Sequence, residues 1–309
     1  MKEKLLITVL LPVLFLFYGC SLASDDITGT PIDFSLFNDP ALSQAVRDVG
    51  RSIEDLKSLS ARFLSIEDLT GIEQLTQLTD LDLRSNSISN ITALNGLTQL
   101  TDLDLTDNSI SNIAALSGLT QMTALDLCGN DITDITALSG LTQMIALDIS
   151  GNDIRDISAL SDLAQLTDLD LRINSISNVT ALSGLTQLTY LDLSFNSISN
   201  ITALSGLTQL TGLHLNDNYI SDITALSGLT KLTVLTLQHN DISDITVLSG
   251  LTQLTHLNLS TNNITIGVVG LVTLTKAETI YLYVNPGIPA ADIAILVNAL
   301  GVDVVKYSE

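Results

Sequence analysis

Apolar residues recur along most of this chain with a period of 22 residues, and one asparagine recurs with them. From Leu78 the pattern reads L-x-x-L-x-L-x-x-N-x-I, which places Leu78, Leu81, Leu83, Asn86 and Ile88. The asparagine returns as Asn108, Asn130, Asn152, Asn174, Asn196, Asn218, Asn240 and Asn262. A fixed period of this length means a repeat array in which each unit packs only on its neighbours. The L-x-L piece alternates, so it predicts a short strand with its leucines inward. Strands of successive units then pair in parallel about 4.8 Å apart. The second half of a unit, such as Ile91-Thr92-Ala93-Leu94-Asn95-Gly96-Leu97, turns an apolar residue inward at every third position. That spacing suits a 3₁₀ or irregular turn. Tight strand spacing on one wall and bulkier turns on the other predict a curved α/β solenoid with a concave parallel sheet.

The inward asparagine has a physical task. Where the chain leaves the strand, backbone groups lose their ladder partners. A buried amide has both donor and acceptor and satisfies them, which neither Asp nor Leu can do.

The array is expected over residues 56–285, with Leu64 in the asparagine position of a degenerate first repeat and Asn285 arriving 23 residues after Asn262. A solenoid exposes its interior at both ends unless capped. Asp39-Pro40 opens a helix that ends near Gly50, with Asp39 as its cap and Pro40 in the first turn. This gives an amino-terminal cap over 32–55. Ile280 to Asn285 reads as a last strand, Pro289 to Leu300 as a helix ended by Gly301, and Val302 to Val305 as a closing strand. Residues 286–309 form the carboxy-terminal cap.

Ahead of these, Lys2 and Lys4 precede an apolar run of 13 residues, Leu5 to Phe17. That is the length of a signal-peptide core rather than of a membrane span. Phe17-Tyr18-Gly19-Cys20 resembles a bacterial lipobox, although Phe17 and Tyr18 stand where leucine and a small residue are usual. Residues 1–20 are therefore a lipoprotein-type signal with Cys20 as the lipid attachment site, and 21–31 a tether. The alternative is cleavage after Ala23. A lipid anchor holds a protein at a membrane because each buried methylene contributes about 0.8 kcal/mol.

The repeats resemble the 22-residue leucine-rich-repeat class of bacterial internalins; Ile198-Ser-Asn-Ile-Thr-Ala-Leu-Ser-Gly-Leu-Thr-Gln-Leu210 carries the likeness, and Phe37 to Ile72 resembles that family's amino-terminal cap. The resemblance implies a horseshoe that binds a protein through its concave sheet. It also implies that concave aromatic residues take part. No carboxy-terminal sorting motif or immunoglobulin-like module follows the repeats, which leaves the amino-terminal lipid as the expected anchor.

Charge and chemistry narrow the partners. Lys+Arg number 12 against 34 Asp+Glu, for a net charge of −22. Phosphate binding depends on clustered Lys and Arg, so nucleic acid is excluded as a partner. No Ser/His/Asp constellation, phosphate-binding glycine loop or clustered Cys/His spacing is present, and neither an enzyme nor a cofactor is expected. Cys128 reads as a tolerated free thiol. Asp82, Asp104, Asp126, Asp148, Asp170 and Asp192 occupy one strand position in six consecutive repeats, with Asp80, Asp102 and Asp168 beside them. This outward row favours cations or basic proteins. Calcium would want six to eight oxygens around one point, which a flat row does not supply.

Variation within the repeats points to a surface. The turn-side column of Gln77 is Gln in eight of nine repeats, with Lys231 the exception. The strand-side column reads Ser85, Asp107, Gly129, Gly151, Ile173, Phe195, Asp217, His239, Thr261. Between Leu78 and Asn262 the only Phe or Tyr residues are Tyr190, Phe195 and Tyr219, and the chain's only histidines, His214, His239 and His256, follow in consecutive repeats. Grouped exposed aromatics are common interface anchors. The histidines differ in repeat and column, so a shared metal is not expected. The candidate partner-binding residues are Ile173, Tyr190, Phe195, His214, Tyr219, Val234, His239 and His256. The expected function is that of an exported, membrane-anchored monomer binding a protein or glycan, possessing no metal. The alternatives are an intracellular scaffold similar to the leucine-rich-repeat regulator of a protein phosphatase, and a passive surface component.

Overall fold

The computed structural model describes residues 29–50 and 52–307. Residues 1–28, and with them the expected signal and Cys20, lie outside the described residues.

Among the described residues twelve strands form a single parallel sheet in strict chain order. They are β1 (Ser58–Ser60), β2 (Asp80–Asp82), β3 (Asp102–Asp104), β4 (Ala124–Asp126), β5 (Ala146–Asp148) and β6 (Asp168–Asp170), then β7 (Tyr190–Asp192), β8 (Gly212–His214), β9 (Val234–Thr236), β10 (His256–Asn258), β11 (Thr279–Tyr281) and β12 (Val305–Lys306). Register is preserved one repeat at a time: Leu81 pairs with Leu103, Leu103 with Leu125, and so on through Leu257. Between strands the chain makes 3₁₀ turns such as Thr92–Leu94 and Thr202–Gly206. Many of these turns begin with an Asn or Asp side chain accepting from the N–H two residues on, as Asn90 does from Thr92 (3.0 Å) and Asp134 from Thr136 (2.9 Å). The sheet is the concave wall of a curved solenoid and the turns are the convex wall.

One continuous core runs along the axis. In the repeat that opens at Leu78, that residue and Leu81, Leu83, Ile88, Ile91, Leu94 and Leu97 are all buried. Each such side chain contributes about 1.5–3 kcal/mol relative to exposure. The asparagines close the polar account of each turn. Asn196 Oδ1 accepts from Ile176 N–H at 3.0 Å, while its Nδ2 donates to the carbonyls of Leu171 (3.0 Å), Leu193 (3.1 Å) and Ser194 (3.2 Å). The same set repeats from Asn86 to Asn285. At the degenerate first repeat, Asn86 also takes the N–H of Leu64.

Both caps form. Helix α1 (Pro40–Val49) is capped by the Asp39 carboxylate, which accepts from Ala41 and Leu42 N–H, and buries Leu42 and Val46 over the first repeat. Helix α2 (Ala290–Leu300) packs on the 3₁₀ turn Val268–Thr273 and ends at Gly301, whose φ is 99°. The closing strand is shorter than expected. Val302 to Val304 form a turn after Gly301, and only Val305–Lys306 reach the edge of β11. The 23-residue step after Asn262 is accommodated near Gly267, which has φ 98° and where a Cβ would stand 2.5 Å from Thr246 N.

Candidate binding face

On the concave wall the residues that alternate with the buried leucines form three side-by-side columns, those of Asp80, Asp82 and Arg84. The Asp82 column proves to be structural as well as charged. Each aspartate Oδ1 accepts from the backbone N–H two residues on, in Asp104 to Thr106 (3.0 Å), Asp126 to Cys128 (3.0 Å), Asp148 to Ser150 (2.9 Å), Asp170 to Arg172 (3.0 Å) and Asp192 to Ser194 (2.8 Å). Asn258 does the same for Ser260. These carboxylates are therefore turned partly in, and Asp192 is only 6% exposed.

Burial and mutual repulsion set their electrostatics. Burial, followed by the charges of Asp148 and Asp192, pushes Asp170 up to about 7, even with Arg172 at 3.4 Å. Asp126 is also raised, mainly by burial, and Asp102 by burial and then by Asp80. At Asp82 burial acts in the same direction, but the Arg84 hydrogen bond and charge outweigh it and hold the carboxyl below its usual range. Arg84 spans two repeats, with Nε 2.9 Å from Asp82 and Nη2 2.8 Å from Asp104. A shallow depression of about 410 Å³ lies over Asp102 to Tyr190 and includes Ala124, Asp126, Ala146, Asp148 and Asp170.

The candidate aromatic residues fall into distinct places. Tyr190 pairs with Gly212 across β7 and β8, and its ring lies 5.5 Å from that of His214. A Cβ on Gly212 would stand 3.2 Å from the Tyr190 ring, so glycine leaves the ring its seat. Burial, then Asp192 and Asp170, pushes the Tyr190 hydroxyl up to about 12. His214 Nδ1 lies 3.0 Å from Thr236 Oγ1; that hydroxyl donates to Asn216 Oδ1, which also receives Ser194 Oγ. With the Thr236 proton committed to Asn216, the contact to Thr236 is made by an N–H at His214 Nδ1. A second depression, of about 450 Å³, brings Ile173, Phe195 and His214 together with Cys128, Ser150 and Arg172. The Cys128 thiol is pushed up, mainly by burial.

The remaining candidates sit apart. Val234 lies between Gly212 and His256 in the strand register. His256 is exposed, with Nε2 3.8 Å from Glu278. His239 is exposed in the Ser85 column. Tyr219 lies just beyond Asn218, past the end of the strand, where it is 63% exposed and off the sheet. The Ser85 column itself adopts the left-handed conformation: φ is 54° at Ile173, 54° at Phe195, 56° at His239 and 56° at Thr261.

Sequence reasoning passed over two exposed groups. Tyr281 and Tyr283, ring centroids 6.0 Å apart, continue the Asp82 and Arg84 columns at the carboxy-terminal end, beside Val284 at φ 54°. Phe63, exposed at φ 60°, opens the same series at the amino-terminal end. Extending the columns past Asn86 in one direction and Asn262 in the other would have found both. Among the described residues no three His, Cys, Asp or Glu side chains converge to hold a metal, and no helix is long and apolar enough to cross a membrane.

Comparison with known proteins agrees with this geometry. A model described as leucine rich repeat matches residues 76–132, and one described as leucine rich repeats in two copies matches 186–228 and 230–267. A comparison with curated proteins finds no match. Among solved structures, an internalin (InlF) of Listeria monocytogenes is 27% identical, with a TM-score of 0.77 over 93% of this chain and 95% of that one. The functional domain of InlJ from the same organism is 30% identical, with a TM-score of 0.75 over 82% of this chain and 57% of that one. Internalin C2 of Listeria monocytogenes is 36% identical, with a TM-score of 0.65 over 70% of this chain and 100% of that one. A shared repeat, a shared fold and this identity over the full length of a relative show that the chain belongs to the internalin-like leucine-rich-repeat family.

Proposed function

We propose that this chain is an exported, lipid-anchored binding scaffold whose concave sheet engages a protein partner. The observation that carries the reading is the mismatch between residue and backbone along the Ser85 column. A left-handed φ favours Gly, Asn or Asp, and a β-branched or bulky residue there is an outlier. Gly129, Gly151, Asp107 and Asp217 conform, yet Ile173 and Phe195 hold φ 54° while 55% and 52% exposed. Neither backbone preference nor core packing accounts for such residues at a solvated rim, whereas recognition does. Strain of this kind is concentrated at functional sites. The patch spreads over neighbouring repeats as open depressions rather than an enclosed cleft, which fits a macromolecular surface. One oxygen of each carboxylate in the Asp82 column is held by a backbone N–H, a structural task that supports binding over catalysis.

Alanine at Tyr190, Phe195 and Tyr219 is expected to weaken binding of the natural partner at least about tenfold, with Gln187→Ala on the turn side as an unchanged control. Undiminished binding by the triple variant overturns the patch. Export and anchoring rest on the apolar run before Cys20. Metabolic labelling with a fatty acid should mark the wild type and not Cys20→Ala; equal labelling, or none in either, refutes the anchor.

A further inference from the structure

We propose that the concave surface between Asp126 and Asp148 is a socket for an arginine side chain of the protein partner. This rests on the concave-face reading above and names the chemistry it recognises.

The chain shows how its acidic row takes a guanidinium. Arg84 projects from the position two beyond Asp82 and bridges Asp82 and Asp104, carboxylates of adjacent repeats, at 2.9 and 2.8 Å. Arg172 occupies the equivalent position beyond Asp170 and pairs with it at 3.4 Å. In the three repeats between, these arginine positions hold Thr106, Cys128 and Ser150, and the aspartate of the first of them, Asp104, is already bridged by Arg84. Among the described residues Asp126 and Asp148 have no ion-pair partner. Their repeats carry only small side chains at the flanking concave positions: Ala124 and Ala146 on one side, Cys128 and Ser150 on the other, with Gly129 and Gly151 at the rim. The result is an open space, over a pair of carboxylates one repeat apart, of the type Arg84 fills elsewhere.

A second feature points to a ligand independently of the charges. Ser150 is 1% exposed, yet its Oγ has no hydrogen-bond partner other than the weak Cys128 thiol beside it. Buried hydroxyls are ordinarily satisfied, and this one lines the adjoining depression one step along the face from Asp148. A guanidinium seated across Asp126 and Asp148 has five N–H donors, enough for both carboxylates and the Ser150 oxygen. An ammonium lacks the planar fork that spans two acceptors.

The test uses a fluorescein-labelled peptide of repeated arginine and glycine, with lysine and glutamine counterparts, titrated by anisotropy against the described domain in its full chain. Asn is the substitution of choice at Asp126 and Asp148, because Asn258 shows that an amide keeps the backbone bond in this column. Asp126→Asn with Asp148→Asn should weaken arginine-peptide binding about tenfold or more. Asp131→Asn with Asp241→Asn removes the same charge from exposed sites and should change it less than about twofold. Cys128→Arg, which supplies the guanidinium from within, should raise the unfolding temperature and abolish peptide binding. Tyr190→Ala with Phe195→Ala should leave the peptide bound while weakening the natural partner, which separates the socket from the aromatic patch. Equal losses in the two aspartate pairs, equal binding of the lysine peptide, or no binding by the wild type would each overturn the socket without bearing on the aromatic patch.

Discussion

Replacement of Asn196 by alanine removes one buried rung of the amide ladder. The side chain is 8% exposed and makes four contacts: it accepts from Ile176 N–H and donates to the carbonyls of Leu171, Leu193 and Ser194. Its amide has two hydrogens, so the three carbonyl contacts amount to about two full hydrogen bonds. Each buried group left unsatisfied costs about 1–3 kcal/mol. One orphaned N–H and two carbonyls, partly rescued by entering water, give a loss of about 3–4 kcal/mol. Asn86→Ala, at the more accessible end, should lose about half as much because water replaces the amide there. Asn196→Asp sharpens the reasoning. It keeps the acceptor for Ile176 but turns a carboxylate towards three carbonyl oxygens, so its folded-state pKa is raised. A raised carboxyl pKa destabilises at high pH, and the loss is recovered as pH falls through that value. Urea unfolding followed by circular dichroism, at neutral and at mildly acidic pH, measures all three. A loss below about 1 kcal/mol for Asn196→Ala, or wild-type stability of Asn196→Asp at neutral pH, would refute the ladder as the source of the repeat's stability.

The raised Asp170 gives a pH prediction of defined sign. From 3.8 to about 7, at 1.36 kcal/mol per unit, the ionised form costs roughly 4 kcal/mol above neutrality, or about 2 after allowance for solvent screening. Stability therefore falls as pH rises from about 4 to 7, and Asp170→Asn should stabilise by about 2 kcal/mol near pH 8 and hardly at all at or below about pH 4; a pH-independent effect in thermal unfolding would count against it. Ile173→Asn should leave the unfolding midpoint unchanged or higher, because relief of the left-handed conformation, about 1–2 kcal/mol, offsets the lost apolar contact, while partner binding falls. A drop in stability above about 1 kcal/mol would show that Ile173 is held by packing. Gly267→Ala should cost about 2–3 kcal/mol or more, since its Cβ would stand 2.5 Å from Thr246 N at φ 98°; wild-type denaturant resistance would contradict this.

The period made the architecture readable. A leucine at every second strand position, an asparagine at every twenty-second residue and an apolar residue at every third turn position each answer to one backbone geometry. The caps were legible because Asp39, Pro40 and Gly301 are local signals. Other features depend on where atoms fall. The aspartates of the Asp82 column read as a bare charged row, since nothing in a sequence says that Oδ1 reaches the N–H two residues on. The left-handed conformation of the Ser85 column was hinted at by Gly129, Gly151 and Asp107 but masked by Ile173 and Phe195, whose propensities oppose it. Tyr281 and Tyr283 were hidden by the 23-residue step, and the closing strand was shortened by the turn after Gly301. Of the candidate residues, the Asp80, Asp82 and Ser85 columns brought Tyr190, His214, Ile173 and Phe195 together, whereas Tyr219 lay beyond the strand because the repeat turns at Asn218.

The concave sheet is the wall proposed to bind. A photo-crosslinking amino acid placed at Phe195 on the concave rim, or at Gln187 on the turn side, compares the two walls of the same repeat in the presence of the natural partner. Adducts from position 195 and none from 187 are the predicted result. Adducts from 187 alone, or equally from both, would contradict it.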